Sequence, residues 1–386
     1  MRVLHVSAYY APAFVYGGPP RSIHALCRAL PAQGLDVTVF TTDANGRAAL
    51  PASVVGGDSF EGVPVRYFHR SWPLSPIGSS ALARAVRTEL RSFDAVHVHG
   101  LWNRVVWAAA AEARRSGVPY VLSPRGMLEG AARAHRSWRK QLSYALFDRA
   151  VVEGASLLHA TSDSEHDTLR QLLPRVPVAL IPNGIDVPPP RPQRRQPPRT
   201  ILFVGRVHAI KRLDLLVDAF ALVRARHSDV RLVIAGPDEG RLRRALVARA
   251  GAHASAIDWT GAVDDTRRAM LLADAAALVM CSDSESFGMS VLEAMAASVP
   301  VVVTRTCPWA DVHRHGSGFW IDQRADAVAD ALDRLLADPE RARAMGSRGR
   351  ALAESQYQWD VIAARFARQY RTLAGQAVAS PALQAT

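Results

Sequence analysis

Met280-Cys-Ser-Asp-Ser-Glu-Ser-Phe-Gly-Met-Ser-Val-Leu-Glu-Ala-Met-Ala-Ala-Ser-Val-Pro-Val-Val-Val-Thr304 is the stretch whose reading decides the fold. Ala276–Cys281 and Val299–Val303 are short apolar runs, and each predicts a buried strand. Between them Met289, Leu292, Met295 and Ala296 recur at helical spacing. The order is strand, polar loop, helix, tight turn, strand. Glu285 sits in the loop, and Glu293 follows about two helical turns later. Gly288 permits close backbone approach to a ligand. The N–H groups of Met289 and Ser290 are unpaired at the helix start and favour an anion. Two carboxylates for hydroxyls beside a backbone site for phosphate suit a ligand that presents both, as a nucleotide-sugar does.

Upstream the same unit recurs. Ile201–Val204 predicts a strand running into Gly205-Arg206, then a loop with Lys211. The helix Leu213–Arg226 follows, with Leu215, Leu216, Ala219, Leu222 and Val223 as its buried stripe. Strands are expected at Arg231–Ala235, at Ile257–Thr260 before Gly261-Ala262-Val263, and at Gly318–Ile321, with a helix from Asp265. The tail from Ala325 is helical. Val361, Ile362, Phe366, Tyr370 and Leu373 form an apolar stripe, so this last helix is expected to pack back across the domain junction, with a frayed end.

The N-terminal half repeats the pattern. Strand Arg2–Ser7, the glycine loop Tyr16-Gly17-Gly18-Pro19-Pro20, a helix through Ile23, Leu26, Cys27 and Leu30, and strand Val37–Thr41 make a Rossmann-type βαβ unit. The G-x-G-x-x-G spacing of dinucleotide sites is absent. Further strands are expected at Val63–Phe68, Ala95–His99, Tyr120–Ser123 and Leu157–Thr161, with helices Ser79–Arg91 and Arg104–Arg115 between them. This alternation predicts a parallel sheet covered on both faces. His97 and His99 share a strand face at its carboxyl end, where open α/β sheets bind ligands. One of the pair suits substrate and the other packing.

Val187–Thr200 is rich in Pro and Arg without periodicity and reads as a linker. The division is 1–186 for an N-terminal Rossmann-like acceptor domain, 187–200 for the linker, 201–358 for a C-terminal nucleotide-sugar domain, and 359–386 for the returning helix. A ligand belongs in the crevice between two such halves.

The chain has 386 residues and a formal net charge of +12. That charge suits an anionic partner or reflects a compositional bias toward Arg. No zinc spacing or RNA-binding signature points to nucleic acid. Cys27, Cys281 and Cys307 are scattered, which suits a reducing cytoplasm and offers no metal pattern. No run reads as a signal sequence or membrane span. Arg outnumbers Lys 45 to two, so Lys211 stands out from Lys140 and from every Arg as a position that wants lysine. Residues 132–149 interleave Arg133, Arg136, Arg139, Lys140 and Arg149 with Trp138, Leu142, Tyr144, Leu146 and Phe147. They suit either an anionic membrane surface or a surface helix packed on the sheet.

Gly205-Arg206…Lys211, Glu285-Ser-Phe-Gly-Met-Ser-Val-Leu-Glu293 and Pro300 together resemble the retaining GT-B glycosyltransferases of family 4, two Rossmann-like domains facing each other across a cleft. The Gly17-Gly18 loop, the run His97–Trp102 and Pro182-Asn183-Gly184-Ile185-Asp186 agree in order and spacing. The likeness covers most of the chain. The run Ser123-Pro124-Arg125-Gly126-Met127 resembles bacterial members that assemble exopolysaccharide, capsule and lipopolysaccharide. Two departures stand out. Ser298 replaces the glycine of the turn after the key helix, and Arg212 replaces the glycine after Lys211. A serine forced to positive φ costs about 1 kcal/mol.

The resemblance implies transfer of a hexose from a UDP- or GDP-sugar to a glycan acceptor, lipid-linked, with retention of configuration. Arg206 and Lys211 hold the donor diphosphate and stabilise it as it leaves. Glu285 takes the donor sugar's hydroxyls and Glu293 the ribose. Phe287, Gly288 and Met289 add backbone N–H contacts. Gly17 and Gly18 approach the diphosphate, His99 faces the sugar, and Val263 frames the base. Neither cofactor nor metal is expected, since cations and helix dipoles take the metal's place. The location implied is cytoplasmic, peripheral on the inner face of the membrane. Alternatives are another GT-B sugar enzyme (a nucleotide-sugar epimerase or small-glycoside synthase) and a non-catalytic scaffold. A pyridoxal-dependent phosphorylase lacks a spare lysine.

Overall fold

A computed structural model describes residues 1–71, 77–129, 142–189 and 199–379. The described chain forms two compact units, residues 1–184 with 359–386 and residues 185–358. Ile185 and Asp186 therefore go with the second unit, not the first. The reason is local: Ile185 bridges to Gln358, and its N–H donates to the Tyr357 carbonyl at 2.7 Å. Residues 190–198 of the expected linker lie outside the described residues. Val187 packs on the second unit's core, and Thr200 already opens a strand.

The first unit carries β1 (Arg2–Ser7), β2 (Asp36–Thr42), the small hairpin β3 (Ala44–Asn45) and β4 (Ala48–Ala49), β5 (Ser59–Phe60), β6 (Val63–Phe68), β7 (Ala95–His99), β8 (Tyr120–Ser123), β9 (Leu157–Ala160) and β10 (Val178–Leu180). Its sheet order is β10-β9-β8-β7-β1-β2-β6-β5, parallel except for the β5–β6 edge. Helices α1 (Gly18–Ala29), α2 (Ser80–Glu89), α3 (Arg104–Ser116) and α4 (Asp163–Leu172) connect the strands. Buried β-branched and aromatic residues fill both faces of the sheet.

The second unit orders β11 (Thr200–Val204), β12 (Arg231–Ala235), β13 (Ile257–Gly261), β14 (Ala275–Met280), β15 (Val301–Thr304) and β16 (Gly318–Ile321) as β13-β12-β11-β14-β15-β16, all parallel. That is the 3-2-1-4-5-6 Rossmann order. Its helices include α5 (Leu213–Arg226), α6 (Asp265–Asp274), α7 (Met289–Ala296), α8 (Ala325–Ala337) and α9 (Pro339–Gln356). On α5 the buried face runs through Val217 and Phe220, and Leu222, expected inside, is exposed. The strand expected at Val299–Val303 begins only at Val301, because Ser298 and Val299 close α7.

The last helix, α10 (Trp359–Ala379), belongs to the first unit. Trp359, Ile362, Phe366, Tyr370 and Leu373 are its large buried residues, with Ala363 and Ala367 between them, against one sheet face. Gly184 admits it, since a Cβ there would lie 2.5 Å from the Trp359 indole.

Candidate donor-sugar site

In the second unit, β11 delivers Arg206 and Lys211 into one loop. The loop before α7 delivers Glu285. A backbone bond from Asp283 N–H to the Ile210 carbonyl, 2.8 Å, joins the two loops. Arg212 adds ion pairs to Asp214 at 3.1 Å and Asp283 at 3.2 Å. Lys211 Nζ is ion-paired to Glu285 Oε1, which also accepts from Ser282 Oγ at 2.7 Å. A largely buried ammonium and carboxylate thus meet at the carboxyl end of the sheet.

Gly288 caps α7 at φ +85°, a left-handed conformation that admits glycine readily. A Cβ there would also sit 3.0 Å from Trp309 Nε1, which donates to the Phe287 carbonyl. Phe287 is buried against Trp309, and Met289 is the first residue of the helix. The structure therefore brings Lys211 and Glu285 together beside the α7 start. It pairs Arg206 instead with Glu239, at 3.0 Å on the exposed rim, and Glu293 with Arg268 at 2.9 Å. Val263 is packed against the core beyond β13.

Gly17 and Gly18 of the first unit form the entry to α1. Gly17 has φ +84°, and among the described residues, chain neighbours aside, no atom lies within 4 Å of a Cβ placed on either. His99 is buried at the end of β7.

Two directed hydrogen-bond chains run through this face. The Ile181 carbonyl can only accept, so His159 Nε2 carries hydrogen and donates to it at 2.7 Å. His159 Nδ1 then accepts from Ser123 Oγ at 2.6 Å, Ser123 accepts from His97 Nε2 at 2.6 Å, and His97 Nδ1 accepts from the Tyr370 hydroxyl at 2.6 Å. His97 is thus the packing member of the His97/His99 pair. In the second chain Arg125 Nη2 donates to His99 Nδ1 at 3.5 Å, and His99 Nε2 to His5 Nδ1 at 3.1 Å. His5 Nε2 is buried without a partner.

Burial holds all four imidazoles neutral, with the Arg125 charge reinforcing it. His5 and His159 fall to about 3, and His97 and His99 well below the usual value. His5, His97 and His99 are the described residues close enough to hold a metal. His97 has both ring nitrogens engaged, and the Arg125 guanidinium lies beside His99, so the cluster fits a cation poorly.

Sequence reasoning missed Arg125, Glu165 and Asp148. Buried Glu165 accepts from the Gly126 and Thr161 N–H groups and fixes the loop after β8. Buried Asp148 accepts from Trp102 N–H at 3.0 Å and Trp107 Nε1 at 2.8 Å, holding the loop after His99. No local pattern marks these acids, because the partners that make them loop anchors, Gly126 for Glu165 and Trp102 and Trp107 for Asp148, are distant in sequence. The basic stretch 132–149 lies outside the described residues up to 141. Its described end exposes Leu142, Leu146 and Phe147.

Residues 189–352 match the family described as glycosyl transferases group 1, and residues 17–184 match the glycosyl transferase 4-like domain. A GDP-mannose:cellobiosyl-diphosphopolyprenol alpha-mannosyltransferase of Komagataeibacter xylinus is 28% identical over 98% of this chain and 95% of its own length. A GDP-mannose-dependent phosphatidylinositol dimannoside mannosyltransferase of Mycobacterium tuberculosis is 36% identical over 44% of this chain and 47% of its own length. Among solved structures, Anabaena HepE with UDP and glucose covers 96% of this chain and 100% of its own, at 17% identity and a TM-score of 0.73. That likeness shows the GT-B fold.

Proposed function

We propose that this chain, which belongs to the GT-B glycosyltransferases of family 4, moves a hexose from a nucleoside-diphosphate sugar to a glycan on a lipid carrier, with retention of configuration. GDP-mannose is the first donor to try and a diphosphate-linked lipid the first acceptor, because a relative spanning the chain's length is named for both. The product belongs to surface polysaccharide assembly.

The observation that carries the reading is the Lys211–Glu285 pair beside the α7 start. Lys211 and Arg206 hold the diphosphate, and the charge that grows as the glycosidic bond breaks is spread onto them and onto the Gly288 and Met289 N–H groups. Glu285 accepts from the sugar hydroxyls and Glu293 from the ribose. Phe287 and Val263 frame the ligand. The leaving phosphate accepts the acceptor's proton, so neither a protein nucleophile nor a metal is required. The reaction takes place at the cytoplasmic membrane face.

The test is purified protein with GDP-mannose, UDP-glucose and related donors, with and without a lipid-diphosphate glycan acceptor, read by NMR at the new anomeric centre. An α-linked product from an α-donor is expected. No turnover, inversion, or conversion of the donor without acceptor overturns the reading.

A further inference from the structure

Arg125 is a cation of the first unit that the proposed function does not use and whose Nε is shut from solvent. Its backbone sits at φ +55°, a left-handed conformation uncommon for any residue but glycine. The loop is locked there because Gly126 N–H donates to buried Glu165 at 2.5 Å. Local strain of this kind persists where the surroundings over-determine it, and it clusters at ligand sites.

Among the described residues the guanidinium makes three hydrogen bonds, all to neutral acceptors. Nη1 donates to Ser22 Oγ at 3.0 Å and to Asn183 Oδ1 at 3.5 Å, and Nη2 to His99 Nδ1 at 3.5 Å. Nε is shut from solvent without a partner. Glu165 is near enough to favour the charged form, but its oxygens accept from Gly126, Thr161 N–H and Thr161 Oγ1. Among the described residues Arg125 has no ion-pair partner, and residues 72–76, 130–141, 190–198 and 380–386 contain no Asp or Glu. A half-buried guanidinium whose Nε is shut from solvent, with no direct ion pair, is costly unless something else supplies the charge. Burial already lowers its pKa to about 10.

The surroundings say what that counter-ion is. Ser22 lies in the first turns of α1, whose N-terminus carries partial positive charge, and Gly17 and Gly18 leave bare backbone there. No acidic residue lies in that first turn. Neutral His99 and Asn183 complete the hydrogen-bonded surround, and the nearby Glu165 carboxylate is engaged by Gly126 and Thr161 instead. Planar guanidinium forks recognise phosphate oxygens in bidentate fashion.

We infer that Arg125 is a binding residue for a diphosphate group of a substrate, held with Ser22 and the α1 start. The inference rests on the proposed function for where that group comes from: the donor nucleotide or a lipid-diphosphate acceptor. Its chemistry is the same in both.

The experiment measures binding of inorganic pyrophosphate, GDP and farnesyl diphosphate to the full chain by calorimetry, for wild type, Arg125→Gln, Arg125→Lys and Lys211→Met. Arg125→Gln is expected to lose at least tenfold in affinity for pyrophosphate and for one of the two organic ligands, with Arg125→Lys between it and wild type. Loss confined to farnesyl diphosphate assigns the acceptor, and loss confined to GDP the donor. A folded Arg125→Gln with unchanged affinity for all three overturns the inference and leaves the transfer activity standing. Conversely, Arg125-dependent binding in a protein that transfers no sugar would sink the activity alone. Should Arg125→Gln not fold, the wild type soaked with pyrophosphate decides. Phosphate oxygens within hydrogen-bond reach of Arg125 support the inference, and phosphate bound only elsewhere overturns it.

Discussion

Lys211 and Glu285 form an ion pair that ties the loop after β11 to the loop before α7, with side chains only 15% and 11% exposed. Under the proposed function one chain segment brings a cation for phosphate and the other a carboxylate for hydroxyls. In the ion pair each neutralises the other. The proposal then requires a donor to place its phosphate and sugar on either side of the pair. Lysine suits this place because a compact ammonium on a flexible stem can turn from carboxylate to phosphate, whereas the wider guanidinium of Arg forks onto one partner.

Glu285→Gln and Lys211→Met are therefore expected to separate binding from transfer. Glu285→Gln releases Lys211, so GDP binds as well as in wild type or better, while transfer falls by about 100-fold, or about 2.7 kcal/mol. Lys211→Met loses both. Calorimetry with GDP and initial transfer rates check the split. Equal loss of GDP affinity in the two variants would refute it.

Glu293 is held by Arg268 at 2.9 Å on α6 and is assigned to the ribose hydroxyls. Glu293→Gln is expected to raise the donor KM about tenfold, about 1.4 kcal/mol, with kcat nearly unchanged, since the ribose does not react. A drop in kcat with constant KM would place Glu293 nearer the reacting carbon.

Ser298 stands at φ +60°. Its N–H donates to Met295 at 2.9 Å and that of Val299 to Ala294 at 2.8 Å, the bond pattern of a Schellman helix end. Serine thus occupies the position that glycine usually holds, without changing the turn. Ser298→Gly is expected to stabilise the protein by up to about 1 kcal/mol, offset in part by a more flexible unfolded chain, and to raise Tm by about 2–4 °C. Arg212, at φ +49°, is a contrasting case. Arg212→Gly relieves the same strain but removes the links to Asp214 and Asp283, so its Tm is not expected to rise. Melting curves of the two variants decide.

Leu142, Leu146 and Phe147 form an exposed apolar face, with Phe147 stacked on Trp107 at 4.4 Å. If it lies on lipid, Leu142→Glu with Leu146→Glu is expected to cut sedimentation with anionic vesicles several-fold at unchanged Tm. Unaltered sedimentation would make it an ordinary surface.

Both Rossmann sheets were legible in the sequence because parallel strands buried on two faces are short, largely apolar runs, as at Val301–Thr304 and Ile201–Val204. The Lys211–Glu285 loops could be named from motif spacing, but their pairing could not, since 74 residues separate them. Strand ends slipped where a cap intervenes, as at Ser298. Arg125 stayed hidden for a related reason. In a chain with 45 Arg, only three-dimensional structure separates the guanidinium without a carboxylate from those that line the surface.

The buried histidines set the acid limit of the fold. His5, His97, His99 and His159 are neutral inside, their pKa values pushed below the ordinary 6.5 by burial first and by neighbouring positive charge second. In the unfolded chain they protonate near 6.5. Above that pH neither state binds the protons, and this part of the stability is complete. As pH falls from 6.5 toward 3 the unfolded state takes up protons that the folded state refuses, so stability drops with pH. Each histidine steepens the fall by at most about 1.4 kcal/mol per pH unit. Tm is expected to be flat from pH 8 to 7 and to descend below pH 6. His97→Gln retains one donor and one acceptor for the Tyr370–Ser123 chain and removes one titrating group, so its Tm should descend less steeply. A wild-type Tm unchanged between pH 7 and 5 would mean that these rings are not neutral in the fold.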